Sequence, residues 1–160
     1  MAGYITLNGA LAAMDYLAGN ALGNVLQAEW NAKAAAGDPL PQRHYLMLIN
    51  QALPADSATS MATMATLEVA GTGYARQPVP WAATTNPGRT LASSDLIQWG
   101  PFADAGGLGT LHVTGAALVT RMTGNSGLCL MAWSGLDIAT TQNQAIQISS
   151  GQLTMLLATS

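Results

Sequence analysis

Two histidines and one cysteine are the side chains of this 160-residue chain best suited to acid–base, nucleophilic or metal chemistry near neutral pH. His44 and His112 each fall inside an apolar run and at no metal-ligand spacing, so both read as ordinary strand residues with one face wet. Cys129 stands between Leu128 and Leu130, the setting of a buried, inert thiol. One cysteine also leaves no intrachain disulfide framework and no multi-cysteine zinc site. Ser134-Gly135 lacks the preceding glycine of a nucleophile elbow and reads as a turn. The glycines of 106–109 are not followed by the Lys-Ser/Thr of a phosphate loop, and Gly71-Thr72-Gly73 lacks the later glycine of a dinucleotide fingerprint. Asp56, Asp95, Asp104 and Asp137 suit turn hydrogen bonds. A calcium site built from them with backbone carbonyls is the alternative, but no Asp-x-Asp cluster supports it. The expectation is a non-enzyme with no catalytic residue, no cofactor, no metal and no small-molecule substrate.

One charged pair has a different character. If Gly71-Thr72-Gly73 closes a hairpin, Ala70 faces Tyr74 and Glu68 faces Arg76. Opposed charges at such a position contribute about 0.2–1 kcal/mol. Arg76 has apolar or aromatic residues nearby on both sides, so a partly buried guanidinium would need that carboxylate. Glu68 and Arg76 are therefore expected to fix strand register or a subunit contact; two solvated ends on an edge strand are the other outcome.

The elements that must position these residues change in texture along the chain. Residues 7–36 carry Leu7, Leu11, Met14, Leu17 or Ala18, Leu22, Val25 and Trp30 at intervals of three and four, one apolar stripe of a helix. Gly19 and Gly23 weaken it by about 1 kcal/mol each, so a break near Gly19-Asn20 is expected. Thr6 or Asn8 can cap its start, and Gly37-Asp38-Pro39 ends it. Gly19 and Gly23 also permit close backbone approach, which favours packing over a dimer signal. Beyond residue 40, β-type runs are predicted at 43–50, 66–70, 74–81, 95–99, 111–120, 128–133, 145–149 and 152–158. Leu111, Val113, Gly115, Ala117 and Val119 share one face; Ile146 and Ile148 share another, as do Leu153, Met155 and Leu157. Residues 52–64 read as a Met-rich surface loop or short helical turn, 84–94 and 101–109 as connections, and 123–127 as a tight hairpin turn. Eight short strands with no interleaved helices predict a mainly β fold. The architecture expected is an antiparallel β-sandwich, jelly-roll-like, over 41–160, behind an N-terminal α-helical segment over 1–40.

Composition narrows the function. Only 13 residues are charged, 8 %, against about 25 % in a typical soluble domain. Apolar residues make up 49 %, and 42 residues are Ser, Thr, Asn or Gln. That balance argues against disorder. A net charge of −3 with five scattered cations offers no basic stripe, so no nucleic-acid partner is expected. The N-terminus lacks a cationic signal-peptide region, and the apolar stretch 16–28 is shorter than a bilayer span of about 20 residues, so no membrane partner is expected either. Surfaces built for monomeric solubility carry about 25–35 % charged residues, and large exposed apolar patches usually mark interfaces. The chain is therefore expected to be shielded by neighbouring subunits, with a monomer wetted by uncharged polar residues as the rival.

The run Glu68-Val69-Ala70-Gly71-Thr72-Gly73-Tyr74-Ala75-Arg76-Gln77 resembles the Glu-Val-x-Gly-x-Gly-Tyr-Ala-Arg-Gln stretch of small tailed-bacteriophage virion proteins of decoration or tail-fibre-like type. A preceding Ala/Leu-rich helix, Ile97-Gln98-Trp99-Gly100-Pro101 and a terminal Gly151-Gln152-Leu153-Thr154 strand are similar as well. The 15–40 region and the Met-rich 56–66 loop depart from the pattern. The resemblance implies a non-enzymatic virion component, forming homo-oligomers, trimers or rings, and binding other virion proteins such as the major capsid or tail proteins. A capsid decoration (cement) role stands slightly ahead of a tail, baseplate or fibre role. Glu68, Tyr74 and Arg76, Met61 and Met64, and Leu11, Met14 and Leu22 are the candidate interface residues. The competing binding-module reading would place Trp81, Trp99 or Trp133 on a glycan or receptor platform, although their strand positions favour core packing. An enzyme using His44, His112 or Cys129 is the remaining class.

Overall fold

Tyr45-Leu46-Met47-Leu48-Ile49 is an unbroken apolar run of β-branched, aromatic and long side chains, which suits a strand buried on both faces. In the computed structural model it is strand β2 (Tyr45–Ile49), and every one of its side chains is buried. The structure describes residues 2–5, 9, 24–35, 44–54, 60–71, 73–82, 90–102, 110–141 and 143–156. Their elements are β1 (Ala2–Ile5), α1 (Asn24–Ala35), β2, α2 (Met61–Thr66), β3 (Gln77–Pro78), β4 (Thr90–Ala92), β5 (Ile97–Trp99), β6 (Thr110–Val119), β7 (Cys129–Thr141), β8 (Ile146–Ile148) and β9 (Thr154–Leu156). The protein is mainly β, and all the strand pairs are antiparallel.

A five-stranded sheet in the order β1-β7-β6-β2-β3 forms the centre, with β4-β9 and β5-β8 as separate two-stranded ribbons. Pro78 lies on the edge strand β3, where its missing N–H breaks no inner ladder. One face of the sheet, through Leu46, Leu48, Ala116 and Leu118, packs with Ile97, Trp99 and Ile146 of the β5-β8 ribbon. The other face, through Tyr45, Met47, Ile49, Ala117 and Val119, packs with Met61 and Met64 of α2. Ser60 caps α2, its hydroxyl accepting from the Thr63 N–H.

Several expectations are corrected. Residues 66–70 form no named strand: α2 runs to Thr66, and only an isolated bridge, Ile49 to Glu68, follows. The run 74–81 contributes just the two residues of β3 to the sheet. Ser134-Gly135 is not a turn; it lies within β7, which extends to Thr141. There the register passes from Val113↔Ile138 to Gly115↔Ser134, so three β7 residues oppose Thr114 alone. Gly135 carries the positive φ (81°) that this bulge requires. The shift also breaks the expected β6 face: Val113 joins the cluster of Ala116 and Leu118, opposite to Ala117 and Val119. At the N-terminus, Ala2–Ile5 is a strand paired with β7, where the sequence suggested no strand. The rest of the predicted helical stripe, including Leu11, Met14 and Leu22, lies outside the described residues.

Candidate functional site

Glu68 and Arg76 meet as the spacing suggests, although no strand ladder joins them. Arg76 Nε donates to Glu68 Oε1 at 2.8 Å and Nη2 donates to Oε2 at 2.6 Å, a bidentate pair. The Arg76 side chain is 2 % exposed and that of Glu68 16 %. Tyr74 completes the carboxylate's shell: its hydroxyl donates to Glu68 Oε1 at 2.9 Å and accepts the Leu48 N–H at 3.0 Å. Burial, followed by the neighbouring Glu68 charge, pushes the Tyr74 phenol above its ordinary range. The free side of the guanidinium reaches further. Nη1 donates to the Arg121 carbonyl at 3.1 Å and Nη2 to the Gly124 carbonyl at 2.7 Å. Arg76 thus ties the chain after α2 to the 120–128 turn that joins β6 to β7.

A second buried pair grips the same turn from the other side. Glu29 of α1 accepts from Arg121 Nε at 2.6 Å, from Arg121 Nη2 at 3.3 Å and from the Thr120 hydroxyl at 2.7 Å. One helical turn on, Lys33 is fully buried; its ammonium donates to the Thr120 carbonyl at 2.7 Å and lies 4.9 Å from the Tyr45 ring centre. The i,i+4 spacing puts Glu29 and Lys33 on one face of α1, flanking buried Trp30. Gly127 makes room for the arrangement. Its φ is +92°, and a Cβ there would fall 2.5 Å from Arg121 Cγ and 3.1 Å from Glu29 Oε1. Glu29, Lys33, Thr120 and Arg121 escaped the sequence reading. The Glu29-x-x-x-Lys33 spacing around Trp30 was the available signal, masked by treating α1 as an apolar stripe.

These two pairs and Lys33 account for five of the seven charged side chains among the described residues. The other two, Asp95 and Asp137, are exposed, and Asp137 Oδ1 lies 2.6 Å from His112 Nε2 across the β6–β7 bulge. The turn itself is exposed at 122–126 and bears no free charge. Met122, 41 % exposed, is one of two large apolar side chains that stand out to solvent among the described residues; Leu96 is the other.

Away from the turn, between the central sheet and the β5-β8 and β4-β9 ribbons, lies an apolar cleft of about 330 Å³. Trp133, Leu136 and Ile138 of β7, Ile148 of β8 and Leu153 line it, with Gln147, Gln152 and Thr154 at hand as polar groups. The other predicted residues fall as follows. Met61 and Met64 are buried against the chain's own sheet, because α2 turns them inward, so neither is presented to solvent. Trp99 is wholly buried, and half-buried Trp81 donates its indole N–H to His44 Nδ1 at 3.2 Å. Cys129 is buried, and its thiol is pushed up to about 12 by that burial. No family model matches this chain, and no curated protein is significantly similar to it.

Proposed function

We propose that this protein is a non-enzymatic structural component of a bacteriophage virion, a capsid decoration (cement) protein that assembles in symmetric copies on other virion proteins. The observation that carries the reading is where the charges lie. Surfaces suited to a free monomer are about 25–35 % charged. Here five of the seven charged side chains among the described residues are drawn inward to brace one turn, leaving Asp95 and Asp137 as the exposed charges among them. Such an exterior gains more from contact with other protein than from water, at about 25 cal/mol per Å² of apolar area before ordering costs. The virion setting rests on the resemblance around Glu68, Tyr74 and Arg76, three residues that also form one hydrogen-bonded unit. In this reading the β5-β8 and β4-β9 ribbons are the second layer of a jelly-roll-like β-sandwich. Uncharged surfaces of the sheet and turns make the contacts that stiffen the shell.

Sedimentation velocity tests the assembly: a discrete oligomer that grows with concentration is expected, and a monomer at every concentration overturns the reading. Immunogold labelling of particles produced with the gene tests the place. Label on heads is expected, label on tails moves the assignment to a tail or fibre component, and unlabelled particles reject the virion role.

A further inference from the structure

We propose that copies of this chain join head to tail, the Met122 turn of one copy seating in the Trp133 cleft of the next. The inference rests on the assembly reading above and names the contact. Turns are usually the mobile parts of a fold, yet the first half of this one is held from two sides. Arg76 binds the Arg121 and Gly124 carbonyls, and Glu29 binds the Thr120 hydroxyl and Arg121 guanidinium. A braced, uncharged turn that exposes a methionine has already lost the freedom that binding would remove, and thioethers fill irregular apolar sites.

The cleft has the complementary character. Its lining is mostly apolar and contains no charged residue among the described residues, so neither described surface strips water from an ion on contact. At about 330 Å³ it exceeds the ~150 Å³ apolar cavity that accepts a benzene ring, leaving ample room for one side chain. The second exposed apolar residue, Leu96, fits less well, since it would carry exposed Asp95 into the seam.

The two features lie apart along the same hairpin. The Val119↔Cys129 rung borders the turn, and the Val113↔Ile138 rung borders the cleft. The lining starts at the Ala116↔Trp133 rung, so three to six residues of β6 separate cleft from turn, about 10–20 Å at 3.4 Å per residue. When the turn of one copy enters the cleft of the next without the reverse exchange, the contact is heterologous and closes into a ring or runs on as a filament. Mutual exchange would instead close a two-fold dimer.

Met122→Asp tests the contact at an exposed site, where folding is little affected. Sedimentation equilibrium is expected to show association weakened by about tenfold or more, equivalent to about 1.4 kcal/mol. Disulfide trapping supplies a second readout. A mixture of Met122→Cys and Leu136→Cys proteins should give a cross-linked dimer that neither variant gives alone. A wild-type oligomer unchanged by Met122→Asp, or equal cross-linking of Met122→Cys with itself, overturns this contact alone. A wild-type chain that remains monomeric at high micromolar concentration overturns the assembly reading with it.

Discussion

Tyr74 and Cys129 hold their protons more tightly in the fold than in the unfolded chain, and that difference has a direction in pH. Cys129 rises from 9.0 to about 12, and Tyr74 rises above its ordinary 10.0. Both contributions are fully present at lower pH. As pH climbs past 9.0 the unfolded thiol ionises while the folded one does not, so stability falls by about 1.4 kcal/mol per pH unit. Above 10.0 the tyrosine adds a second, equal loss. Urea midpoints taken between pH 8 and 11 should follow this steepening curve, and Cys129→Ala should delay the first decline until near pH 10. An unchanged onset in that variant would show that another group sets it. At neutral pH the ion pair dominates instead. Arg76→Ala leaves a carboxylate 16 % exposed and two carbonyls without their donor, and should lower stability by about 3 kcal/mol in urea unfolding. A loss below about 0.5 kcal/mol, the surface-substitution range, would mean that the pair is spectator geometry.

Elements were legible where a single period ran unbroken. The apolar run of β2, most of β6, the 120–128 turn and the inward pairing of Ile146 with Ile148 all follow from local pattern. What failed did so for long-range reasons. β7 continues through Ser134-Gly135 because the partner strand accommodates a bulge, which a turn-like dipeptide does not announce. β1 is a strand because β7 offers an edge to it, and its four residues alone carry no strand signal. The Glu68–Arg76 pair was visible because both partners lie within one short segment. The Glu29–Arg121 pair joins residues 92 positions apart, and no local spacing reveals it. That second pair makes α1 sensitive to the turn it grips. Gly124 and Gly127 both have positive φ, but a Cβ at Gly124 meets nothing within 4 Å. Gly124→Ala should therefore cost only backbone strain, about 1–2 kcal/mol. Gly127→Ala should cost more, and hydrogen exchange should show the amides of 24–35 loosened in that variant alone. Equal effects from the two substitutions would place Glu29 outside the constraint.

At the scale of the whole molecule, ionisable groups are scarce, and five of the seven charged side chains among the described residues are used inside, which fixes how association should respond to solvent. Contacts steered by exposed charges weaken as salt screens them, with a Debye length of about 10 Å at 0.1 M and 3 Å at 1 M. Among the described residues only Asp95 and Asp137 are exposed charges, and the cleft lining contains neither. Raising sodium chloride from about 0.05 M to about 1 M should accordingly leave the proposed oligomer's dissociation constant within a factor of about three, less than 1 kcal/mol. Sulfate, which is excluded from protein surfaces and so favours burial, should tighten assembly. Calorimetry should give a negative heat-capacity change on association, the mark of apolar area leaving water. The buried pairs point the same way, because screening reaches them poorly. The fold's own stability should thus vary little over the same salt range, and dissociation should not be secondary to unfolding. Sedimentation equilibrium and urea unfolding across one salt series separate the two. Oligomers that fall apart in 1 M sodium chloride while the fold persists would show that charged surface carries the contacts, and the placement of the Glu29 and Glu68 pairs would then explain stability without explaining assembly.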